Sequence, residues 1–265
     1  MEDKKIDKNA KSKESDRLNS SLIYSLRILD YLAKKDSHAS LAELSREVGI
    51  NKSRIMRLCG TMEHMGYMIH MREEGIYSLG PRLLSLGKAY ERSNTLIKTI
   101  RPELVKMAND LQETVSFQIL RNDKRLCICS VESPQPVRYS MIEGSEGEFP
   151  YGASSKVLLT WGSETLRNAV LAKAPFKKYT KNTLTTETEL RECLAQVRKQ
   201  GYLVSLEDKS LGSAALAVPV FSGAGMLVGT ICVSAVLGRM SEDFMERAIP
   251  YTLKKAEELS KLLGG

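Results

Sequence analysis

The sequence predicts an α+β protein in two parts, a winged helix-turn-helix and then a larger domain that mixes helices and strands. Three observations support this prediction. Two short helical patterns flank Gly49-Ile50-Asn51, two short strand patterns follow them, and apolar β-branched runs fill much of the last third. The length of 265 residues suits two domains of ordinary size.

The first two helices of the N-terminal part are predicted from spacing and capping signals. In SSLIYSLRILDYLAKK, three leucines share one helical face, which predicts the buried stripe Leu22, Leu26 and Leu29. The second helix starts at Ser40, which forms an S-x-x-E capping box with Glu43.

The third helix follows a glycine turn. Gly49 suits the left-handed end of the second helix, and Asn51 is a favourable cap for the third. Its buried stripe is expected to be Ile55, Leu58, Met62 and Met65. YMIHM and GIYSL then predict a hairpin, or wing, around 72–75.

This arrangement indicates nucleic-acid binding. Ser53, Met56 and Arg57 face away from the predicted core in the half of the helix that enters a major groove, where Arg57 suits a guanine edge. Most of the formal net charge of +7 lies in the first 100 residues. A solvated basic face is the alternative. The residues predicted to contact DNA are Ser40, Asn51, Lys52, Ser53, Arg54, Met56, Arg57 and Arg72.

The second part alternates between helix and strand patterns. A helix is predicted over 82–100, and further helices over RPELVKMANDLQ, from Ser154 or Ser155 to Leu159, from Thr186 to Gly201, and from Ser241 onwards. Strands are predicted at TVSFQIL, RLCICSVE, VRYSMI, YLVSLE, LAVPV and LVGTICVSAV.

Several function classes are disfavoured by composition. The start of the chain, 1–17, has mixed charge and no apolar core, which predicts a disordered tail and no signal peptide. The five cysteines have no CxxC spacing and are expected to be reduced and cytoplasmic. The uncharged stretch 211–238 contains Pro219 and a Ser-Gly-Ala-Gly turn, so it predicts two strands and not a membrane helix. No metal site or cofactor is expected, because none of the three histidines has ligand spacing.

With these motifs in place, the chain resembles IclR-type bacterial transcriptional regulators from about 18 to 239. The blocks that carry the resemblance are LAELSREVGINKSRIMRLCGTMEHMGY, YSLGPRLLSLG, VESPQPVRYS with GASSKVLL, and VRKQGYLVS with LAVPVFSGAGMLVGTICVS. Their shared order and spacing are more specific than any single block.

The resemblance implies a domain plan and partners. It implies a DNA-binding domain over 18–81, a linker and dimerisation helix over 82–100, and a GAF/PAS-like effector-binding domain with an antiparallel sheet over 101–265. It also implies a homodimer, or a dimer of dimers, that binds a double-stranded DNA operator and a small organic acid or aromatic catabolite.

The resemblance also implies an effector site, although Ser205, Ala215 and the residue before the GAS turn, Pro150, depart from the family's usual residues. The implied effector-binding residues are Gly152, Ala153, Ser154, Ser205, Ala215, Cys232 and Ser234. Open amides at the start of a helix suit a carboxylate, whereas Lys156 is unfavourable in that first turn and is expected to point elsewhere.

Two other functions stay open. A C-terminal enzyme would lack a Ser-His or Cys-His nucleophile, because all three histidines precede residue 71, and no catalytic motif is recognisable. A redox-switched regulator would use Cys127, Cys129 or Cys232, although buried structural thiols are the stronger expectation.

Overall fold

The computed structural model describes residues 18–35 and 38–264, and these form two compact units that divide between Ser93 and Asn94. The tail predicted over 1–17 lies outside the described residues.

The N-terminal unit contains the predicted winged helix-turn-helix. Its elements are α1 Ser20–Lys34, β1 His38–Ser40, α2 Leu41–Val48, α3 Lys52–His64, β2 Met68–Met71, β3 Ile76–Leu79 and α4 Arg82–Ser93. The strands pair antiparallel in the order β1-β3-β2. β1 was not predicted, because three residues are too few for a recognisable period.

The capping predictions for this unit are confirmed. The Ser40 hydroxyl accepts the N–H of Glu43 at 3.3 Å, and the Glu43 carboxylate accepts the N–H of Ser40 at 2.8 Å. Gly49 ends α2 with a φ of 76°. The Asn51 side chain accepts the N–H of Arg54 at 2.8 Å, which fixes the start of α3.

The stripe predicted for α1 was wrong for two of its three residues, since only Leu29 packs against the core. Leu22 and Leu26 are 58% and 52% exposed, whereas Ile28 and Leu32 are fully buried. The α1 sequence has two apolar faces with helical spacing. The face that is buried contains Ile28 and Leu32, and Tyr24 packs against the core beside them. Periodicity alone cannot choose between two apolar faces of one helix.

The stripe predicted for α3 needs one correction. Ile55 and Met62 are buried and Leu58 packs against the core, but Met65 is 52% exposed. Met65 is the residue at which α3 ends, so the helical period no longer directs its side chain inward. Cys59 is buried in the same helix.

The single helix predicted over 82–100 is instead two helices, α4 and α5 (Thr95–Leu111). The Asn94 side chain accepts the N–H of Ile97 and caps α5, so the break falls at Asn94. α5 continues through Pro102, where the sequence suggested a boundary.

The C-terminal unit is built on a mixed array of helices and antiparallel strands. After α5 come β4 Thr114–Arg121, β5 Lys124–Val131, β6 Glu146–Gly147, α6 Ala153–Trp161, α7 Glu164–Leu171, α8 Glu187–Gln200, β7 Leu203–Leu206, β8 Ser213–Phe221, β9 Leu227–Val236, a 3-10 turn Leu237–Arg239 and α9 Glu242–Leu262. α6 begins one residue before the predicted range, and α7 was not predicted.

The strands of this unit form one six-stranded antiparallel sheet within 94–264, in the order β6-β5-β4-β9-β8-β7. α5 and α9 contact the sheet and contribute to its largest apolar core, and α6 packs on β7, β8 and β9. The uncharged stretch forms β8 and β9, as predicted, and no helix among the described residues is long and apolar enough to cross a membrane.

The strand predicted at VRYSMI is not formed. Of the chain between β5 and α6, only Glu146–Gly147 pairs with β5, and side-chain hydrogen bonds hold the segment before it. The Thr114 hydroxyl donates to the Tyr139 carbonyl at 2.6 Å, and the Ser140 hydroxyl donates to Glu132 at 2.7 Å. Segment 132–145 is therefore a loop beside the sheet edge.

Candidate DNA-reading face and ligand cavity

The outward face of α3 carries three residues predicted to contact base edges. Ser53, Met56 and Arg57 are exposed, while Ile55 and Cys59 are buried on the opposite side. Lys52, at the first position of the helix, is also exposed. The helix thus presents a polar and cationic face to solvent.

Two other predicted contacts serve as helix caps. The side-chain oxygens of Ser40 and Asn51 accept backbone N–H groups at the starts of α2 and α3. Their first role in the structure is to fix those helix starts.

Arg54 is half-buried and braces α3 against α1. Its guanidinium donates to the Ser20 hydroxyl at 3.0 Å and lies 4.7 Å from the centre of the Tyr24 ring. Sequence spacing does not reveal this contact, because Ser20 lies 34 residues from Arg54 in the chain.

Arg72 lies at the wing tip with its side chain 79% exposed and 3.9 Å from Glu63. Glu73 and Glu74 follow it and are also exposed. Arg72 is thus the cation of the tip that can reach a phosphate.

All of the predicted effector-binding residues line one cavity of about 70 Å³ in the C-terminal unit. They come from α6, β7, β8 and β9. The cavity is lined by Arg125, Tyr139, Met141, Tyr151, Gly152, Ala153, Ser154, Ser205, Asp208, Lys209, Ser210, Ser213, Ala214, Ala215, Cys232 and Ser234.

A buried ion pair forms part of the cavity wall. The Asp208 carboxylate accepts the N–H of Gly152 at 2.5 Å and pairs with the Lys156 ammonium at 2.7 Å. The Lys156 and Asp208 side chains are 5% and 6% exposed. The Gly152 amide, expected to be open, is therefore occupied, and the Lys156 ammonium shares the same carboxylate.

The start of α6 retains other donors. The Ser154 hydroxyl is buried, lines the cavity and has no hydrogen-bond partner among the described residues. The N–H groups of Ala153 and Ser154 belong to the first turn of α6, whose backbone donors have no acceptor inside the helix. A small anion would satisfy them.

Sequence reasoning missed Arg125, Tyr139 and Asp208. Burial raises the pKa of the Tyr139 hydroxyl, so the group is a neutral donor in the cavity. The sequence held one clue to Asp208. A lysine that is buried needs a carboxylate partner, so Lys156 implied an acidic residue nearby in the fold.

Two of the buried cysteines are poor candidates for thiolate chemistry. Burial raises the pKa of both Cys59 and Cys127 to about 12, so both thiols stay protonated at neutral pH. The Cys232 sulfur lies 3.5 Å from the Ser234 hydroxyl. In the described part of the chain, no group of three or more His, Cys, Asp or Glu side chains could hold a metal ion.

Comparison with known families matches both units. Residues 21–68 match the IclR helix-turn-helix domain, and residues 88–261 match the bacterial transcriptional regulator IclR C-terminal domain. The chain belongs to the IclR family. It is therefore a DNA-binding transcriptional regulator with a C-terminal ligand-binding domain.

Curated relatives of the family are similar along most of their length. The transcriptional repressor IclR of Escherichia coli is 28% identical over 249 residues, covering 92% of this chain and 90% of that protein. The Pca regulon regulatory protein of Pseudomonas putida is 27% identical over 249 residues, covering 92% of this chain and 84% of that protein.

Solved structures support the fold. An IclR transcriptional regulator from Alicyclobacillus acidocaldarius aligns with a TM-score of 0.85 and 27% identity, covering 93% of this chain and 100% of that one. An IclR homologue from Microbacterium hydrocarbonoxydans, solved in complex with 4-hydroxybenzoate, aligns with a TM-score of 0.76 and 19% identity, covering 92% and 100%.

Proposed function

We propose that this IclR-family regulator reads operator DNA through the outward face of α3, and that a small organic acid in the C-terminal cavity sets its operator affinity. The observation that carries the effector half is the buried, unpartnered hydroxyl of Ser154 in that cavity, at the start of a helix.

The DNA half rests on exposure and charge. Arg57 and Ser53 stand free on the half of α3 that enters a major groove in helix-turn-helix proteins. Arg57 takes a guanine edge, and Lys52 and Arg72 take phosphates. Arg54 has a smaller role at DNA than its charge suggests, because Ser20 and Tyr24 already engage it.

The effector half rests on cavity size and chemistry. A cavity of about 70 Å³ holds roughly five to seven water-sized groups, at about 10–15 Å³ each. Hydroxyls, backbone amides and a helix start favour a carboxylate. The raised pKa of the Cys127 thiol disfavours a redox signal through that cysteine.

The regulator acts as a homodimer on a palindromic operator, with recognition helices one DNA turn or a multiple of it apart. Supporting this, Leu22 and Leu26 of α1 are exposed, and no residue of α4 is buried within the chain. The DNA-binding part spans 18–81 and the effector-binding part 101–265, with the helices at 82–100 linking them.

The decisive experiment selects operator sequences from a random duplex library with the full-length protein, then measures affinity by fluorescence anisotropy. With about 6–10 phosphate contacts, affinity should fall roughly 10³–10⁵-fold between 50 and 200 mM salt. A salt-independent affinity, or no enriched sequence, would contradict DNA reading.

The effector half is tested separately by a thermal-shift screen of small carboxylates and phenols on the full-length protein. A ligand at 100 times its dissociation constant adds about 2.7 kcal/mol to the free energy of unfolding. Ser154→Ala should abolish the shift, whereas Ser163→Ala, which removes the cap of α7, should lower the melting temperature and leave the ligand shift intact.

A further inference from the structure

Arg125 is a cation of the cavity that has no counter-charge. It lines the cavity from the start of β5, and no carboxylate of the described residues lies within ion-pairing distance of it. Its Nε atom is buried and has no hydrogen-bond partner there. Arg125 as a whole is only partly buried, but its Nε donor is buried without a partner, so a ligand oxygen at that atom would gain a charge-assisted hydrogen bond.

The guanidinium is held in place by residues beneath the cavity. Its Nη1 atom donates to the Gln118 side-chain oxygen at 2.5 Å, and the Gln118 amide donates to the Ser116 hydroxyl at 2.8 Å. Both Gln118 and Ser116 are fully buried in β4. This support fixes the guanidinium on one side and leaves its Nε donor for another partner.

A glycine makes room for the group. Gly147 of β6 lies opposite Arg125 in the sheet register, and a Cβ atom at 147 would overlap the guanidinium. The Arg125 guanidinium therefore occupies the space that the side chain of any residue other than glycine at position 147 would need. Position 147 and position 125 act together to place a planar donor group in the cavity.

Further cations surround the cavity entrance. Lys177 and Lys209 lie 4.8 Å and 5.9 Å from the centre of the exposed Tyr179 ring. Tyr179 in turn meets Tyr151 edge to face at 4.9 Å, and both Tyr151 and Lys209 line the cavity. The Asp208 carboxylate, which also lines the cavity, is paired with the buried Lys156 ammonium. The entrance thus attracts anions.

We infer that the effector is a small dicarboxylate, with one carboxylate at the start of α6 and the second bound by the Arg125 guanidinium. This inference rests on the proposed function and names its ligand class. The planar fork of arginine matches the geometry of a carboxylate, which an ammonium would not. The size of the cavity restricts the ligand to a short carbon chain.

The test is isothermal titration calorimetry on the full-length protein with malonate, succinate and glutarate. Each diacid is compared with its monomethyl ester, which keeps the shape and removes one charge. At least one diacid should bind roughly 10-fold to 100-fold more tightly than its ester. Arg125→Gln should abolish that preference, so that the diacid and its ester bind with similar affinity.

Two further variants ensure that the test does not depend on whether Arg125→Gln folds correctly. Gly147→Ala displaces the guanidinium without changing the charge and should weaken the diacid by a similar factor. Arg121→Gln removes an exposed charge from the same hairpin and should change neither affinity. Thermal melts confirm that each variant is folded.

The outcomes separate this inference from the proposed function. Esters that bind as tightly as diacids, or a diacid preference that survives Arg125→Gln, would overturn the dicarboxylate and leave an organic-acid effector standing. If neither diacids nor monocarboxylates bind, both the dicarboxylate and the organic-acid effector fail, while operator selection still tests DNA reading.

Discussion

The outward face of α3 and the cavity of the C-terminal unit are both polar, yet they are built in opposite ways. One helix supplies the α3 face, whose side chains are exposed and free of strong partners. The cavity combines residues from α6 and from four strands; Asp208 on its wall forms a buried ion pair with Lys156, and Gln118 holds the Arg125 guanidinium. Changes on the face should therefore affect binding alone, whereas changes in the cavity should affect folding as well.

The largest expected effect is on the buried ion pair. Asp208→Asn leaves the Lys156 ammonium buried without a counter-charge and should lower the free energy of unfolding by about 3–5 kcal/mol. Urea denaturation measures this. The exposed pair between Glu187 and Arg191 is the control, and Glu187→Gln should cost less than about 0.5 kcal/mol. An equal loss of unfolding free energy in the two variants would contradict the expected difference between the buried and the exposed ion pair.

The next effect lies on α3. Arg57→Ala should weaken binding to the selected operator by about 1–3 kcal/mol and relax specificity at one base, with the free energy of unfolding unchanged. Anisotropy titrations against single-base operator variants measure it. Arg27→Ala, at an exposed position of α1, is the control. Equal weakening on every sequence would make Arg57 a phosphate contact.

A smaller effect separates capping from DNA contact at Asn51. Asn51→Ala should lower the free energy of unfolding by about 1 kcal/mol, while Asn51→Ser, which keeps a capping oxygen, should be nearly neutral. Thermal or urea unfolding compares the two variants. A loss of operator affinity in both, with stability unchanged, would show that Asn51 acts at the DNA.

The smallest effect concerns Gly60, on the outward face of α3. A Cβ atom there would meet nothing within 4 Å, so Gly60→Ala should raise the free energy of unfolding by about 0.5–1 kcal/mol. We expect operator affinity to fall by less than 10-fold, because the added methyl group lies where a duplex approaches. Unchanged affinity would show that the duplex stays clear of this position.

The sequence predicted the N-terminal unit well because its signals are local. Ser40, Gly49 and Asn51 act within four residues of their positions, and the structure confirms each of them. The failure in α1 is instructive, since Leu22 and Leu26 had the right spacing on the wrong face. The sequence pattern does not distinguish the two apolar faces of α1, and packing against the other helices determines which one is buried.

The only cavity residues that could be predicted were those implied by the family resemblance, and all of them line the cavity. Its charged groups were not predictable from the chain. Asp208 lies 52 residues from Lys156, and Arg125 depends on a glycine contributed by another strand. The pairing of β6 with β5, after a loop that the sequence misread as a strand, brings Gly147 opposite Arg125.

Asp208 also has a consequence for how such a sensor responds. Because the protein's own carboxylate already matches the start of α6 and the ammonium beneath it, the receptor is assembled before any metabolite arrives. The interaction energy of an incoming molecule is then free to shift the balance between conformers, in proportion to its preference for one of them. Under the proposed function, a weakly bound acid could thus act as an effective signal.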